Sequence, residues 1–178
     1  MSRKFFVTAA VALTATWSSG LAAEVISQSP GEFAIRLEQE LEQNSASVYR
    51  GLASLPEWWN PAHSYSGSAG NLSMELRAGG CFCERWDQAS VEHLRVIYAL
   101  PEREVRLSGG LGPLQSMPVS GLMQWRIVPQ GDKSLLTWEY RVWGSSANKL
   151  DAIAEPVNSV LAEQFRALKV YLEKGGEG

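Results

Sequence analysis

LDAIAEPVNSVLAEQFRALKVYLE, residues 150–173, is the last and longest helical pattern in the chain. Ile153, Val157, Leu161, Phe165, Leu168 and Leu172 recur at steps of three and four, which places them on one stripe of a helix. Pro156 lies inside the pattern and predicts either a kink or a helix that starts at the proline. A long helix with one apolar stripe needs an apolar surface to cover it.

The residues upstream supply that surface. Phe33, Ile35 and Leu37 alternate with polar neighbours and read as a first strand. Asn44 or Ser45 caps a short helix carrying Val48, Tyr49 and Leu52, and a second helical turn over 56–59 ends at Asn60-Pro61. After the Ser/Gly-rich loop 64–70, six strand-like runs follow near 71–77, 81–86, 91–99, 104–109, 122–128 and 135–142. Each has one face richer in apolar residues, as with Met123, Trp125 and Ile127, or Leu136, Trp138 and Tyr140. Short polar links at 87–90 and 129–132 suit antiparallel hairpins. The predicted fold class is α+β: a seven-stranded antiparallel sheet wrapped around the long C-terminal helix, in one domain over 24–178.

The other end of the chain predicts the compartment. Arg3 and Lys4 precede a mostly apolar run from Phe5 to Trp17, then Gly20-Leu21-Ala22-Ala23, and the first acidic residue is Glu24. This is the layout of a secretory signal peptide over 1–23, cleaved after Ala22 or Ala23, and it predicts a periplasmic or secreted protein. The apolar run falls short of the ~20 residues that cross a bilayer, and no membrane span is predicted in the mature chain. Removing 1–23 takes away two basic residues and no acidic one, leaving 14 Lys+Arg against 19 Asp+Glu, a formal charge of −5. An acidic body without a basic run argues against nucleic acid as a partner. Six of the seven tryptophans remain in the mature chain, a large apolar area to bury or to offer to a ligand.

Cys81 and Cys83 are the only cysteines. Two positions apart on a regular strand, their alpha carbons would sit ~6.6–6.8 Å apart, at the upper limit of disulfide geometry. They are therefore predicted to be reduced, small buried hydrophobes, with a strained redox pair or a metal-ligand pair as alternatives. No further Cys or His at ligand spacing completes a metal site, so no metal and no cofactor is predicted. If 87–90 makes the turn, Trp86 pairs with Val91, and Glu84 and His93 lie side by side as a possible acid/base dyad. The opposite face, with Cys81, Cys83, Leu94, Val96 and Tyr98, is the more apolar one. It is expected to face the core and to leave Glu84 and His93 outside as a surface pair.

The order of elements resembles the helix-grip fold of the START/polyketide-cyclase-like (SRPBCC) superfamily over essentially the whole mature chain. Ser47-Val48-Tyr49-Arg50-Gly51-Leu52 followed by Trp58-Trp59 resembles the first helices of the branch related to activators of the heat-shock-protein ATPase. Arg77-Ala78-Gly79-Gly80-Cys81-Phe82 resembles that branch's Gly-Gly hairpin, and Tyr98-Ala99-Leu100-Pro101-Glu102-Arg103 its strand-ending turn. The resemblance implies a cavity between the curved sheet and the last helix, used across the superfamily for apolar compounds. It transfers no active site, and the catalytic residues stay unknown.

A cavity of that kind would be lined by Val157, Leu161 and Phe165 of the last helix and by Trp125, Trp138 and Tyr140 of the facing strands. Trp59, His63 and Tyr65 lie in an aromatic-rich polar loop that suits its mouth, with His63 or Tyr65 as a polar anchor. The glycine-rich link 109–118, which carries Leu114 and Met117, suits an apolar lid. No Gly-x-Ser-x-Gly occurs, so nucleophilic catalysis has little support. The expected function is an exported binding or carrier protein whose partner is an apolar small molecule, such as an envelope lipid or an aromatic metabolite. A polyketide cyclase/dehydratase-like enzyme and a protein-interaction module are the alternatives.

Overall fold

Alternation of buried and more exposed side chains, broken at a few positions, runs through the strands of one antiparallel sheet. The computed structural model describes residues 20–176. The predicted leader lies outside the described residues as far as residue 19. The elements are β1 (Ala22–Ser29), β2 (Glu32–Leu41), α1 (Ser45–Ala53), α2 (Leu55–Trp58), β3 (Leu72–Met74), β4 (Cys81–Trp86), β5 (Ala89–Leu100), β6 (Glu104–Ser108), β7 (Val119–Gln130), β8 (Lys133–Gly144) and α3 (Asp151–Glu173). The sheet has eight strands in the order β1-β2-β8-β7-β6-β5-β4-β3, and every pairing is antiparallel. The long C-terminal helix packs against it, as a helix-grip fold requires.

The strand missing from the sequence reading is β1. It is an edge strand with little fully buried surface, so its alternation is faint, yet Leu21, Ala23 and Val25 pack on the core beside α3. Asn44 caps α1 by accepting from the Ser47 backbone N–H at 3.0 Å. Helix α3 begins at Asp151 and passes through Pro156.

The core is aromatic. Trp125 and Trp138 are register partners on β7 and β8, and their rings stack 5.3 Å apart. Phe165 of α3 meets Trp138 edge-on at 4.9 Å, and Trp58 closes from α2 at 6.2 Å. Along α3, Leu161, Phe165, Leu168 and Leu172 are buried against this core, whereas Ile153 and Val157, on the same stripe, are only half-buried. The stripe is therefore fully covered from Leu161 onward, whereas toward the start of the helix Leu150 and Ala154 are buried in the core and Ile153 and Val157 beside them are only partly covered.

The β4–β5 hairpin departs from the predicted pairing. Trp86 pairs with Ala89 across a two-residue turn, Glu84 pairs with Val91 and Cys83 with Glu92, and the register shifts between Phe82 and Cys83 so that Phe82 pairs with Leu94. His93 is the extra residue of this bulge. Two expectations fall with it. The alpha carbons of Cys81 and Cys83 lie 5.3 Å apart, and the two sulfurs are bonded in a disulfide rather than reduced. Glu84 and His93 also face inward: Glu84 is fully buried and His93 is 5% exposed, while Tyr98, past a second register shift at Val96/Tyr98, is exposed.

Candidate functional site

Beside the partly covered Ile153 and Val157 of α3, a cavity of about 460 Å³ opens. Ile153, Pro156, Val157, Val160 and Leu161 form its helical wall. Trp59, His63, Ser64 and Tyr65 form the opposite rim, Leu111, Gly112 and Pro113 border it from the link between β6 and β7, and His93 reaches it from the sheet. The volume lies within the range of small-molecule sites, ~300–1,000 Å³. Most of the lining is apolar, and no lysine or arginine contributes to it.

Hydrogen bonds hold each wall. The Trp59 indole N–H donates to the His63 carbonyl at 3.0 Å, and the Asn60 backbone N–H donates to Gln164 Oε1 of α3 at 2.8 Å. Asn60 Nδ2 donates to Glu163 Oε1, and His63 Nε2 lies 3.1 Å from Glu163 Oε2. The rim over 59–63 is thus pinned to α3. The Tyr65 hydroxyl donates to the Gly112 carbonyl at 3.0 Å and ties this rim to the β6–β7 link. That link is itself moored by buried Tyr140, whose hydroxyl donates to the Gly109 carbonyl and accepts from the Leu111 N–H, each at 3.1 Å. Gly121 allows the moorings, since a Cβ there would meet the Gly109 carbonyl and the Tyr140 hydroxyl.

Behind the rim lies a buried polar pair. Glu84 accepts from the backbone N–H groups of Tyr65 (2.9 Å) and Ser66 (2.5 Å), and His93 Nε2 lies 3.0 Å from Glu84 Oε2. Burial raises the Glu84 carboxyl pKa, but the hydrogen bonds from Ser66, Tyr65 and His93 outweigh it and hold the group below its ordinary range. Glu84 is therefore a carboxylate. Burial pushes the His93 imidazole below its ordinary value against the opposing pull of Glu84, so the ring is neutral. A neutral ring facing a carboxylate must carry its proton on Nε2, which leaves Nδ1 as a lone-pair acceptor. The rings of Phe82 and Tyr65 flank the imidazole at 4.8 and 5.8 Å.

Of the residues singled out in the sequence, Trp59, His63, Tyr65, Val157 and Leu161 line the cavity. Trp125, Trp138, Tyr140 and Phe165 do not; they fill the core beneath it, because the sheet grips this part of the helix too closely to leave space. Leu114 is buried under the β6–β7 link, and Met117 is half-buried on the side away from the cavity. Leu111 and Pro113 of that link border the opening in their place. His93 was missed as a lining residue because a bulge carries no local sequence signal. Pro156 and Val160 could have been found from their positions, three and seven residues beyond Ile153 on one helix. The sulfurs of Cys81 and Cys83 lie within 4.8 Å of a Glu92 carboxylate oxygen, but bonded to each other they offer no thiolate to a metal. Among the described residues no helix is long and apolar enough to cross a membrane.

No protein-family profile and no curated protein matches the chain. Solved structures do. CalU16 from Micromonospora echinospora superposes with a TM-score of 0.59 at 15% identity, over 91% of this chain and 87% of its own. A protein from Rhodobacter sphaeroides gives 0.58 at 15% identity, over 86% and 99%. Aha1 from Colwellia psychrerythraea, solved as a dimer, gives 0.56 at 16% identity, over 82% and 98%. These are likenesses of fold, and the fold is consistent with a helix grip.

Proposed function

We propose that this protein binds or carries an apolar small molecule in the cavity between the N-terminal half of α3, the 59–65 rim and the β6–β7 link. One observation carries the reading. The predicted apolar stripe of α3 is buried only from Leu161 onward, and its first members, Ile153 and Val157, face an open cavity of about 460 Å³. Burying apolar surface of a guest there would contribute about 25 cal/mol per Å² before ordering costs are subtracted. An uncharged apolar fluorescent probe such as N-phenyl-1-naphthylamine tests the reading. It should bind the folded protein saturably and accept energy from tryptophan, Trp59 being in the wall. A folded protein that leaves both emissions unchanged would remove the carrier reading.

We further propose that the carrier works outside the cytoplasm. The support is the charge and small-residue layout of residues 1–23. Cleavage after Ala22 or Ala23 would leave Glu24–Ser29 available for the pairing that β1 makes with Arg36–Glu32. N-terminal sequencing of the protein from a periplasmic fraction should read from Ala23 or Glu24, and an intact Met1 there would refute export with cleavage. A second reading, proton-transfer chemistry of the cyclase/dehydratase kind, is favoured by the buried Glu84–His93 pair reaching the cavity wall.

A further inference from the structure

The β4–β5 hairpin carries a cluster of donor atoms that the cavity does not use. Cys81 and Cys83 stand two apart on β4, and Glu92 of β5 is the register partner of Cys83, so its side chain rises from the same face of the hairpin. The two sulfurs and one Glu92 carboxylate oxygen all lie within 4.8 Å of one another. Cys83 is buried, Cys81 is half-buried and Glu92 is exposed, so the cluster opens to solvent on one side. Two neighbours hold Glu92 in place. Gln115 Nε2 donates to its main-chain carbonyl at 2.7 Å. Arg95, the register partner of Cys81, donates from Nε to Glu92 Oε1 at 3.0 Å and from Nη2 to Oε2.

We propose that this cluster is a redox-gated zinc site, closed while the disulfide stands and formed when a dithiol protein reduces it. The exchange balances: the dithiol gives up two electrons and two protons and becomes a disulfide, and the Cys81–Cys83 bond opens to two thiols. Zinc then takes both sulfurs as thiolates, and their two protons are released. Tetrahedral zinc, with bonds of about 2.3 Å to sulfur, holds its sulfurs roughly 3.7 Å apart. That is ordinary contact for two unbonded sulfurs, and alpha carbons 5.3 Å apart allow it. Two thiolates alone also suit monovalent copper, whereas an added carboxylate oxygen favours the harder divalent zinc. Glu92 supplies that oxygen, solvent fills the fourth position, and the Arg95 guanidinium retains the second carboxylate oxygen. Three negative groups and one guanidinium leave the two charges that a divalent cation neutralises.

Cobalt(II), a coloured stand-in for zinc, tests the site. The full chain is reduced with a phosphine, freed of it without air, and titrated with cobalt and then with zinc. Reduced wild type should take up one cobalt per chain, with a thiolate-to-cobalt charge-transfer band and the intense visible bands of tetrahedral coordination. Zinc should bleach both, and the oxidised protein should show neither, a comparison that needs no variant. Cys81→Ser should lose the charge-transfer band at the same cobalt concentration. Glu92→Gln, at an exposed position, should bind zinc at least about tenfold more weakly in competition with a chromophoric chelator. Reduced wild type without a thiolate band, or oxidised and reduced protein binding alike, would overturn the gated site. An unchanged zinc affinity in Glu92→Gln would overturn the three-ligand site. Cobalt bands on a reduced chain whose circular dichroism shows it unfolded would also overturn it, because the hairpin would then not supply the geometry.

Discussion

Glu84 is a carboxylate with no exposed surface and no lysine or arginine beside it, held instead by two backbone N–H groups and one imidazole. Replacing it with alanine strands all three donors in the interior, and the expected loss of stability is about 3 kcal/mol. Glu84→Gln, which keeps one carbonyl acceptor, should lose less. Denaturant unfolding of the two variants checks the order. The same pair sets an acid limit. His93 has a folded pKa depressed below 6.5, so below about that pH the unfolded chain binds a proton that the folded protein resists. Its contribution is fully present above 6.5 and is lost as pH falls toward the folded value. Glu84, depressed below 4.5, adds a loss of the same sign at lower pH. The melting temperature should therefore drop on acidification from about pH 6.5, and His93→Gln should flatten the upper part of that fall. An equally steep upper fall in the variant would assign it to another group.

At the scale of the element, the β4–β5 hairpin gathers several features that look separate in the sequence. Its bulge on β5 places the extra residue His93 inside, Glu84 of β4 is buried beside it, and Cys81 and Cys83 are joined by a disulfide. Alkylation under denaturing, non-reducing conditions should leave both cysteines unlabelled, and prior reduction should add two labels. Two labels without reduction would restore the thiol reading drawn from regular strand geometry. Most strands were legible because period-two alternation is a local property, and Phe33, Ile35 and Leu37 show it plainly. In β5 the burial of consecutive residues His93 and Leu94 breaks that period, and no residue type marks the break.

On the scale of the whole molecule, the change along α3 from partly covered Ile153 and Val157 to a tightly gripped stripe from Leu161 onward decides whether there is a site at all. Val157 lines the cavity, so Val157→Trp should place its indole in open space, change stability by less than about 1 kcal/mol and abolish probe binding. The contrasting substitution is Phe165→Ala, in the gripped stretch against Trp138. It should destabilise the protein by about 3–5 kcal/mol. Thermal melts with and without the naphthylamine probe compare the two. A large destabilisation by Val157→Trp would mean that the helix and sheet are packed to full interior density where the cavity is drawn.

The sequence by itself determined the α+β class, the antiparallel sheet, the covering helix and the aromatic rim at Trp59, His63 and Tyr65. Each follows from periodicity and turn chemistry within a few residues, and local sequence carries both. Only the tertiary structure decided that Trp125, Trp138, Tyr140 and Phe165 are core rather than cavity. It alone seated Glu84 and His93 behind the rim, joined Cys81 to Cys83 and added β1 at the sheet edge. The physical reason is common to all four. A stripe or an alternation says which face of an element seeks cover, whereas the distance at which cover arrives, and the position where a strand gains a residue, depend on partners far away in the chain.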